Sequence, residues 1–294
     1  MTSMPDQTTA ETHETPNVDQ VAYWNGDAGD KWAKLQERLD GLFAGISAAA
    51  IGAAAARHGD HVLDIGCGCG ATVLALAEAV GPLGRVTGVD ISAPMLDVAE
   101  HRIAAANLSQ AAVLKADAAA YPFAPGSADL VFSRFGVMFF DAPTEAFINI
   151  HKALKPDGRL FFACWRPFKT NPWFALPYRA ALPHLPPQEK PEPDAPGPFA
   201  LSEPERVRRI LGLAGFSEIA IEPFDTMLTF GPTGQVEDAF RFVAQIGPVA
   251  RALATGTDGQ REAAERAVAA ALAEMDGPEG IRLGAQCWFV SARA

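Results

Sequence analysis

Residues 62–70, VLDIGCGCG, carry the spacing best suited to chemistry in this 294-residue chain. An acid, Asp64, closes a β-rich run, and Gly66, Gly68 and Gly70 follow at alternate positions before the helical pattern ATVLALAEAV. A turn this tight calls for residues that tolerate positive φ, and close backbone approach to a ligand calls for positions without Cβ. The helix start behind it offers free N–H groups and a positive dipole end to a carboxylate or phosphate. Twenty-six residues after Asp64, GVDIS places Asp90 at the end of a second strand, where a carboxylate can accept both hydroxyls of an adenosine ribose. Gly66-x-Gly68-x-x-Ala71 also satisfies the dinucleotide pattern G-x-G-x-x-G/A, a weak signal alone. An acid two residues before the first glycine puts negative charge beside a pyrophosphate. It better suits a ligand that brings an ammonium and a sulfonium and no phosphate.

The elements that must position these residues follow a strand–helix rhythm. HVLDI, RVTGVDI, AAVLKAD, ADLVFSR and GRLFFACW read as strands, interleaved with ATVLALAEAV, APMLDVAEHRIAAA and TEAFINIHKALK as amphipathic helices. Short, nearly continuous apolar strands between such helices predict a doubly wound α/β fold, a parallel sheet covered on both faces. Residues 1–18 read as a disordered tail and 19–58 as a helical flap, with Gly59 as its stop. The core spans 59–166. Ten prolines between Pro167 and Pro198 predict an extended excursion over the surface across 167–200, neither helix nor central strand. In 201–294 a helix capped by Ser202 and Glu205 leads to the strands FSEIAIEPF and QCWFVSARA, seven in all, with a helical cap inserted at 234–275.

At this point the sequence resembles the class I S-adenosylmethionine-dependent methyltransferases, in particular the branch acting on small molecules and quinones. Beyond the glycines, LKADAAAYPFAPGSADLVFSRFGVMFF (114–140) and KALKPDGRLFFACW (152–165) resemble that family's third-to-fourth and fifth strand regions. The resemblance covers residues 60–165, about a third of the chain, and implies a Rossmann-like sheet and S-adenosylmethionine as cofactor. Carried over, it assigns Asp64, Gly66 and Gly68 to the methionine side and Asp90 to the ribose. Ile91 and Met95 flank the adenine, Asp117 with Ala118 addresses its edge, and Ser133 ends the strand nearest the sulfonium. Cys67 and Cys69 depart from the pattern, as small loop filler. Methyl transfer is an in-line displacement driven largely by orientation, so a shaped, dry pocket is expected more than a catalytic triad. A base is needed only for a nucleophile that arrives protonated.

Aromatic residues supply such a pocket. Trp24 and Trp32 in the flap read as a lid over the cofactor. Phe135 and Phe139 after the fourth strand, and Trp165, Trp173 and Tyr178 after the fifth, read as the acceptor pocket at the carboxyl ends of the strands. His184, in the proline-rich stretch, is the one histidine placed to meet a substrate, while His151 reads as a packing residue. No catalytic residue is assigned with more support than that. Cys67-x-Cys69 lacks the second half that a zinc site needs, so no metal is expected. The net charge of −11 argues against nucleic acid as partner. No apolar run reaches membrane-spanning length, and a polar N-terminus and four dispersed cysteines fit a reduced, cytoplasmic protein. A small-molecule acceptor is the expected partner; oligomerisation is not indicated. Two alternatives remain: a nicotinamide-dependent oxidoreductase, and a non-catalytic module that binds the cofactor as sensor or partner.

Overall fold

Three N-terminal helices precede the sheet in the computed structural model, which describes residues 17–189, 192 and 195–294. They are α1 (Val18–Trp24), α2 (Asp27–Lys34) and α3 (Gln36–Ala54). α3 is no detachable flap: Leu39, Phe43, Ile46 and Ala50 are buried in the main core. It ends before Gly59, with Ala55 in the left-handed region. Of the 1–18 tail, residues 1–16 lie outside the described residues. Asn17 and Val18 correct that expectation, because Asn17 is buried and Val18 opens α1.

The alternating part folds as β1 (His61–Ile65), α4 (Ala71–Val80), β2 (Arg85–Asp90), α5 (Ala93–Ala105), β3 (Ala111–Lys115), β4 (Ala128–Arg134), α6 (Pro143–Ala153) and β5 (Leu154–Trp165). These five strands are parallel, because each returns through a crossover. The remaining elements are α7 (Pro172–Ala181), α8 (Pro204–Leu213), β6 (Ser217–Gly231), α9 (Val236–Val243), α10 (Gly247–Leu253), α11 (Asp258–Ala273), β7 (Asp276–Gly277) and β8 (Gly280–Arg293). The strand order is β3-β2-β1-β4-β5-β8-β6, with two-residue β7 pairing on β8. β8 runs antiparallel between β5 and β6. The chain winds outward from β1 through β2 to β3, then restarts on the other side with β4. Such a reversal opens a crevice at the strands' carboxyl ends.

Two local expectations are corrected. The stretch 167–200 carries α7, whose Trp173, Phe174 and Ala181 are buried. Pro172 sits in the first helical turn, where no N–H is needed, and Pro177 is accommodated inside the helix at the loss of one N–H bond. What looked like surface excursion therefore packs inward. Before α8 the N-cap is Glu203 with Pro204 behind it, not Ser202, and no side-chain cap bond forms. Ser202 is turned to another use, its carbonyl accepting the indole N–H of Trp288 at 2.7 Å. A capping box does form further on, between Thr257 and Gln260 at the start of α11. α7 packs against α10 and α11, so the cap at 234–275 and the proline-rich segment are one helical layer. No helix among the described residues is long and apolar enough to cross a membrane.

Candidate active site

The glycine loop takes the shape its residues allow. Gly66, Gly68 and Gly70 all have positive φ, at 70°, 52° and 80°. Gly66 also meets Gly136, in the turn after β4, backbone to backbone. A Cβ on Gly66 would lie 2.5 Å from the Gly136 Cα, and one on Gly136 2.6 Å from the Gly66 Cα. Only glycine serves at either position. A Cβ on Gly68 would instead extend towards Met95 Sδ, 3.6 Å away, into the gap between loop and α5.

Two acids frame the loop. Asp90, at the end of β2, accepts the Gly68 N–H on Oδ2 at 2.8 Å and the Ser92 N–H on Oδ1 at 2.9 Å. Each oxygen keeps a lone pair, and the side chain lines the crevice. Burial raises its carboxyl above the usual carboxylate range, against those backbone donors. Asp64 lies beneath the loop and is fully buried. Its Oδ2 accepts the Thr72 hydroxyl, and its Oδ1 is buried with no hydrogen-bond partner. Burial pushes the Asp64 carboxyl up to about 7, opposed by Thr72 and by the charge of Arg134.

The crevice opens over about 1380 Å³ of space between atoms, open mouth included. At its polar end stand Asp90, Ile91, Met95, Asp117 and Ala118. Asn17, just before α1, reaches in here. Asn17 Nδ2 lies 2.8 and 2.9 Å from the two Asp117 carboxylate oxygens, and Asn17 Oδ1 accepts the Asp141 N–H at 2.8 Å. The other end of α1 is tied down too. Ser92 donates its hydroxyl to Trp24 O at 2.6 Å, and Asn25 bridges Ile91 O and the Ala93 N–H at 2.9 and 3.0 Å. Trp24 and Trp32 thereby roof the crevice, ring to ring with centroids 5.6 Å apart.

The other end is an aromatic box. Phe135 stacks on Trp165 at 4.0 Å and 11°, Phe43 of α3 stands against both, and Trp173 with Phe174 completes a wall. Phe139 joins the roof through Trp24 at 5.4 Å. Phe135 has φ 67°, a costly conformation for a bulky residue, immediately where β4 meets the box. Ile246 and Gly247, at the α9–α10 junction, supply the cap's edge.

Four expected residues do not come to the crevice wall. Asp64 stays below the loop. Ser133 is buried with its hydroxyl accepting the Gly136 and Val137 N–H groups at 3.2 and 3.3 Å, so it shapes the turn. Tyr178 packs edge-on against Phe168 instead, because α7 presents Trp173 and Phe174 to the crevice. His184 is exposed in a short 3-10 segment after α7, away from the crevice, and cannot act there. His151 packs on Phe216, ring centroids 4.9 Å apart. Cys67 and Cys69 both line the crevice, Cys67 buried and Cys69 half-buried. Burial pushes the Cys69 thiol up to about 12 and Cys67 well above the usual thiol range, so both stay protonated at neutral pH. Sequence reasoning missed Asn17, Gly136, Asp40 and Arg134. The i, i+4, i+7, i+11 spacing of Gln36, Asp40, Phe43 and Ser47 was the legible sign that α3 turns one face to the site.

Residues 62–158 match the family described as a methyltransferase domain. A demethylmenaquinone methyltransferase of Lactobacillus johnsonii is 39% identical over 105 residues, 35% of this chain and 43% of that protein. The aklanonic acid methyltransferase DauC of a Streptomyces species is 34% identical over 140 residues, 46% of this chain and 64% of that protein. The chain thus spans about half the length of the curated relatives it matches. Among solved structures, Haemonchus contortus phosphoethanolamine N-methyltransferase 2 in complex with S-adenosyl-L-methionine shares the fold, with a TM-score of 0.58 at 19% identity, over 92% of this chain and 59% of that one. Residues 62–158, with the glycine loop between Asp64 and Asp90 in a doubly wound sheet of this strand order, thus form a methyltransferase domain of the S-adenosylmethionine-dependent type.

Proposed function

We propose that the protein transfers a methyl group from S-adenosylmethionine to a small, apolar or aromatic acceptor. The observation that carries this reading is one crevice with two unlike ends, acids and glycine loop at one and an aromatic box at the other. The residues present fit the cofactor. Asp64 Oδ1, below the loop, is buried and unanswered, and Gly68 is open towards the crevice, a Cβ there meeting only Met95 Sδ at 3.6 Å. In this reading Asp90 takes the ribose hydroxyls on its two free lone pairs. Ile91 and Met95 hold the adenine faces, and Asp117 takes its edge. When bound, the cofactor supplies an electrophilic methyl on a sulfonium.

The chain's own part is to bind, orient and exclude water. Trp24, Trp32 and Phe139 close the roof, and stacked Phe135 and Trp165 give the acceptor a flat apolar surface. Among the described residues of the box there is no histidine, tyrosine, lysine or carboxylate. An acceptor must therefore bring a lone pair or an already ionised nucleophile, and orientation does the rest. The single cation among the described residues lining the crevice, Arg134, and the acidic chain favour a small acceptor over nucleic acid. Four unpaired cysteines support a reducing, cytoplasmic setting. The named substrates of the two relatives, a demethylmenaquinone and aklanonic acid, suggest where acceptor screening begins: hydroxylated quinols and polycyclic aromatic acids. The test is calorimetric titration with S-adenosylmethionine, S-adenosylhomocysteine and NADH in parallel. Micromolar binding of the first two without NADH is expected; binding of NADH alone would turn the reading to an oxidoreductase.

A further inference from the structure

Charge separates the two kinds of nucleophile that the acceptor box admits. Beside the stacked pair of Phe135 and Trp165, Trp173 stands 5.2 Å from Trp165 at 59°, and Phe174 meets it edge-on at 5.2 Å and 89°. An aromatic face carries the negative side of its quadrupole, so such a wall attracts positive charge and disfavours negative charge. Asp90 and Asp117 stand at the other end of the crevice. Arg134, the only lysine or arginine among its described lining residues, belongs to the loop end. β4 runs beside β1 with Phe132 opposite Asp64, so Arg134, two residues on, lies level with Gly66. α3 holds it there: Arg134 Nη1 donates to Ser47 Oγ at 3.1 Å, and the guanidinium carbon sits 5.5 Å from the Phe43 ring centroid. Phe43 is thus already shared with a cation, and Phe135, Trp165, Trp173 and Phe174 are left for a ligand.

We infer that the acceptor is a flat heteroaromatic of the pyridine or N-substituted azole type, methylated on an uncharged ring nitrogen and released as an N-methylated cation. This rests on the methyl transfer proposed above and narrows its acceptor. The ring-nitrogen lone pair forms the new bond to the methyl carbon as the carbon–sulfur bond breaks, and the pair from that bond stays on sulfur. One positive charge moves from sulfur to nitrogen, towards the aromatic faces, and no proton moves. A phenol, with an ordinary pKa of about 10, reaches the box protonated, and burial without a positive partner raises that value further. An aliphatic amine, at about 10.4, arrives with its lone pair taken by a proton. A carboxylate arrives ionised, but the box offers it no positive partner and faces of the wrong sign. A ring nitrogen of the imidazole type, at about 6.5, is largely free at neutral pH, and its flat ring suits the stacked pair.

The experiment is calorimetric titration of the full chain loaded with S-adenosylhomocysteine, in about 0.3 M salt so that the acidic surface is screened. Two probes share one two-ring frame and differ in charge: N-methylquinolinium, a product of the inferred class, and 2-naphthoate. Wild type is expected to bind the cation more tightly by roughly 5- to 30-fold, the range for a desolvated cation on aromatic faces. Phe135→Leu keeps an apolar side chain and removes a ring, and should weaken the cation several-fold while leaving 2-naphthoate within about twofold. If that variant does not fold, Trp173→Leu serves in its place. With S-adenosylmethionine bound instead, mass spectrometry should find the methyl group on quinoline and not on 1-naphthol. Equal or tighter binding of 2-naphthoate overturns the inference, as does methylation of 1-naphthol with quinoline untouched. A wild type that does not bind S-adenosylhomocysteine overturns the methyl-transfer reading instead.

Discussion

Replacing Asp64 by asparagine should make the ligand-free protein more stable in mild alkali while weakening its hold on the cofactor. The carboxyl is fully buried, has one partnered oxygen, and titrates near 7 in the folded chain against 3.8 as its ordinary value. A folded-state value raised above the unfolded one means that the folded protein holds the proton more tightly. The stability this supplies is present in full below about pH 4 and is lost progressively until the pH passes the folded value near 7. Integrating between pH 5 and pH 8 gives a loss of roughly 2 to 3 kcal/mol in wild type. Asp64→Asn removes the titrating group and keeps an oxygen for the Thr72 hydroxyl, so its curve lacks this decline. Urea and thermal unfolding at pH 5, 6, 7 and 8 should therefore show the variant gaining on wild type as pH rises, by roughly 5 °C in Tm over that range. Calorimetry at pH 7.5 should show weaker S-adenosylmethionine binding in the same variant. A stability gap that stays constant from pH 5 to pH 8 would refute the assignment of this buried, half-satisfied carboxyl.

Asp90→Ala removes the proposed ribose acceptor and strands the Gly68 and Ser92 N–H groups, so it should abolish cofactor binding and also cost roughly 2 to 4 kcal/mol in urea unfolding. Gly136→Ala forces a Cβ against the Gly66 Cα and should destabilise by roughly 1 to 3 kcal/mol, with cofactor affinity falling in parallel by calorimetry. Asn17→Ala cuts the tie between α1 and Asp117, and stopped-flow displacement should then show S-adenosylhomocysteine leaving several-fold faster, with little change in Tm. His184→Ala should leave kcat/KM for any acceptor found by screening within about twofold; a hundredfold loss would bring this exposed side chain back into the chemistry.

The parts of this structure that could be read from sequence are those written in local pattern. The loop's glycines and the acid before them occupy a window of seven residues, and strand–helix alternation fixes the sheet because each apolar run must be covered. Asn17 escaped because its three hydrogen bonds reach Asp117 and Asp141, a hundred residues or more away, and nothing local distinguishes it from the polar tail. Arg134 escaped because one arginine after a strand has no signature until α3 is known to lie over it. Tyr178 and Trp173 are five residues apart on α7, so both cannot present the same face, and composition alone could not choose between them. The prolines misled because their cost depends on position: Pro172 begins a helix at no loss, which a count of prolines does not register. The family match ends at residue 158. Trp165, Trp173, Phe174 and Ile246 of the acceptor box all lie past it, and Phe43 lies before it.

The contact of Gly66 with Gly136 leaves no slack between the loop proposed to hold the cofactor and the turn that launches Phe135 into the box. A few tenths of an ångström at one must be felt at the other, because neither backbone has a side chain to give way. On the proposed reading, filling the nucleoside end sets the footing for the acceptor, and a change of acceptor preference made in residues 133–137 is expected to loosen the cofactor as well. The free ground for redesign lies elsewhere, on α7 and at the α9–α10 junction, whose walls can be recut while the loop stays seated.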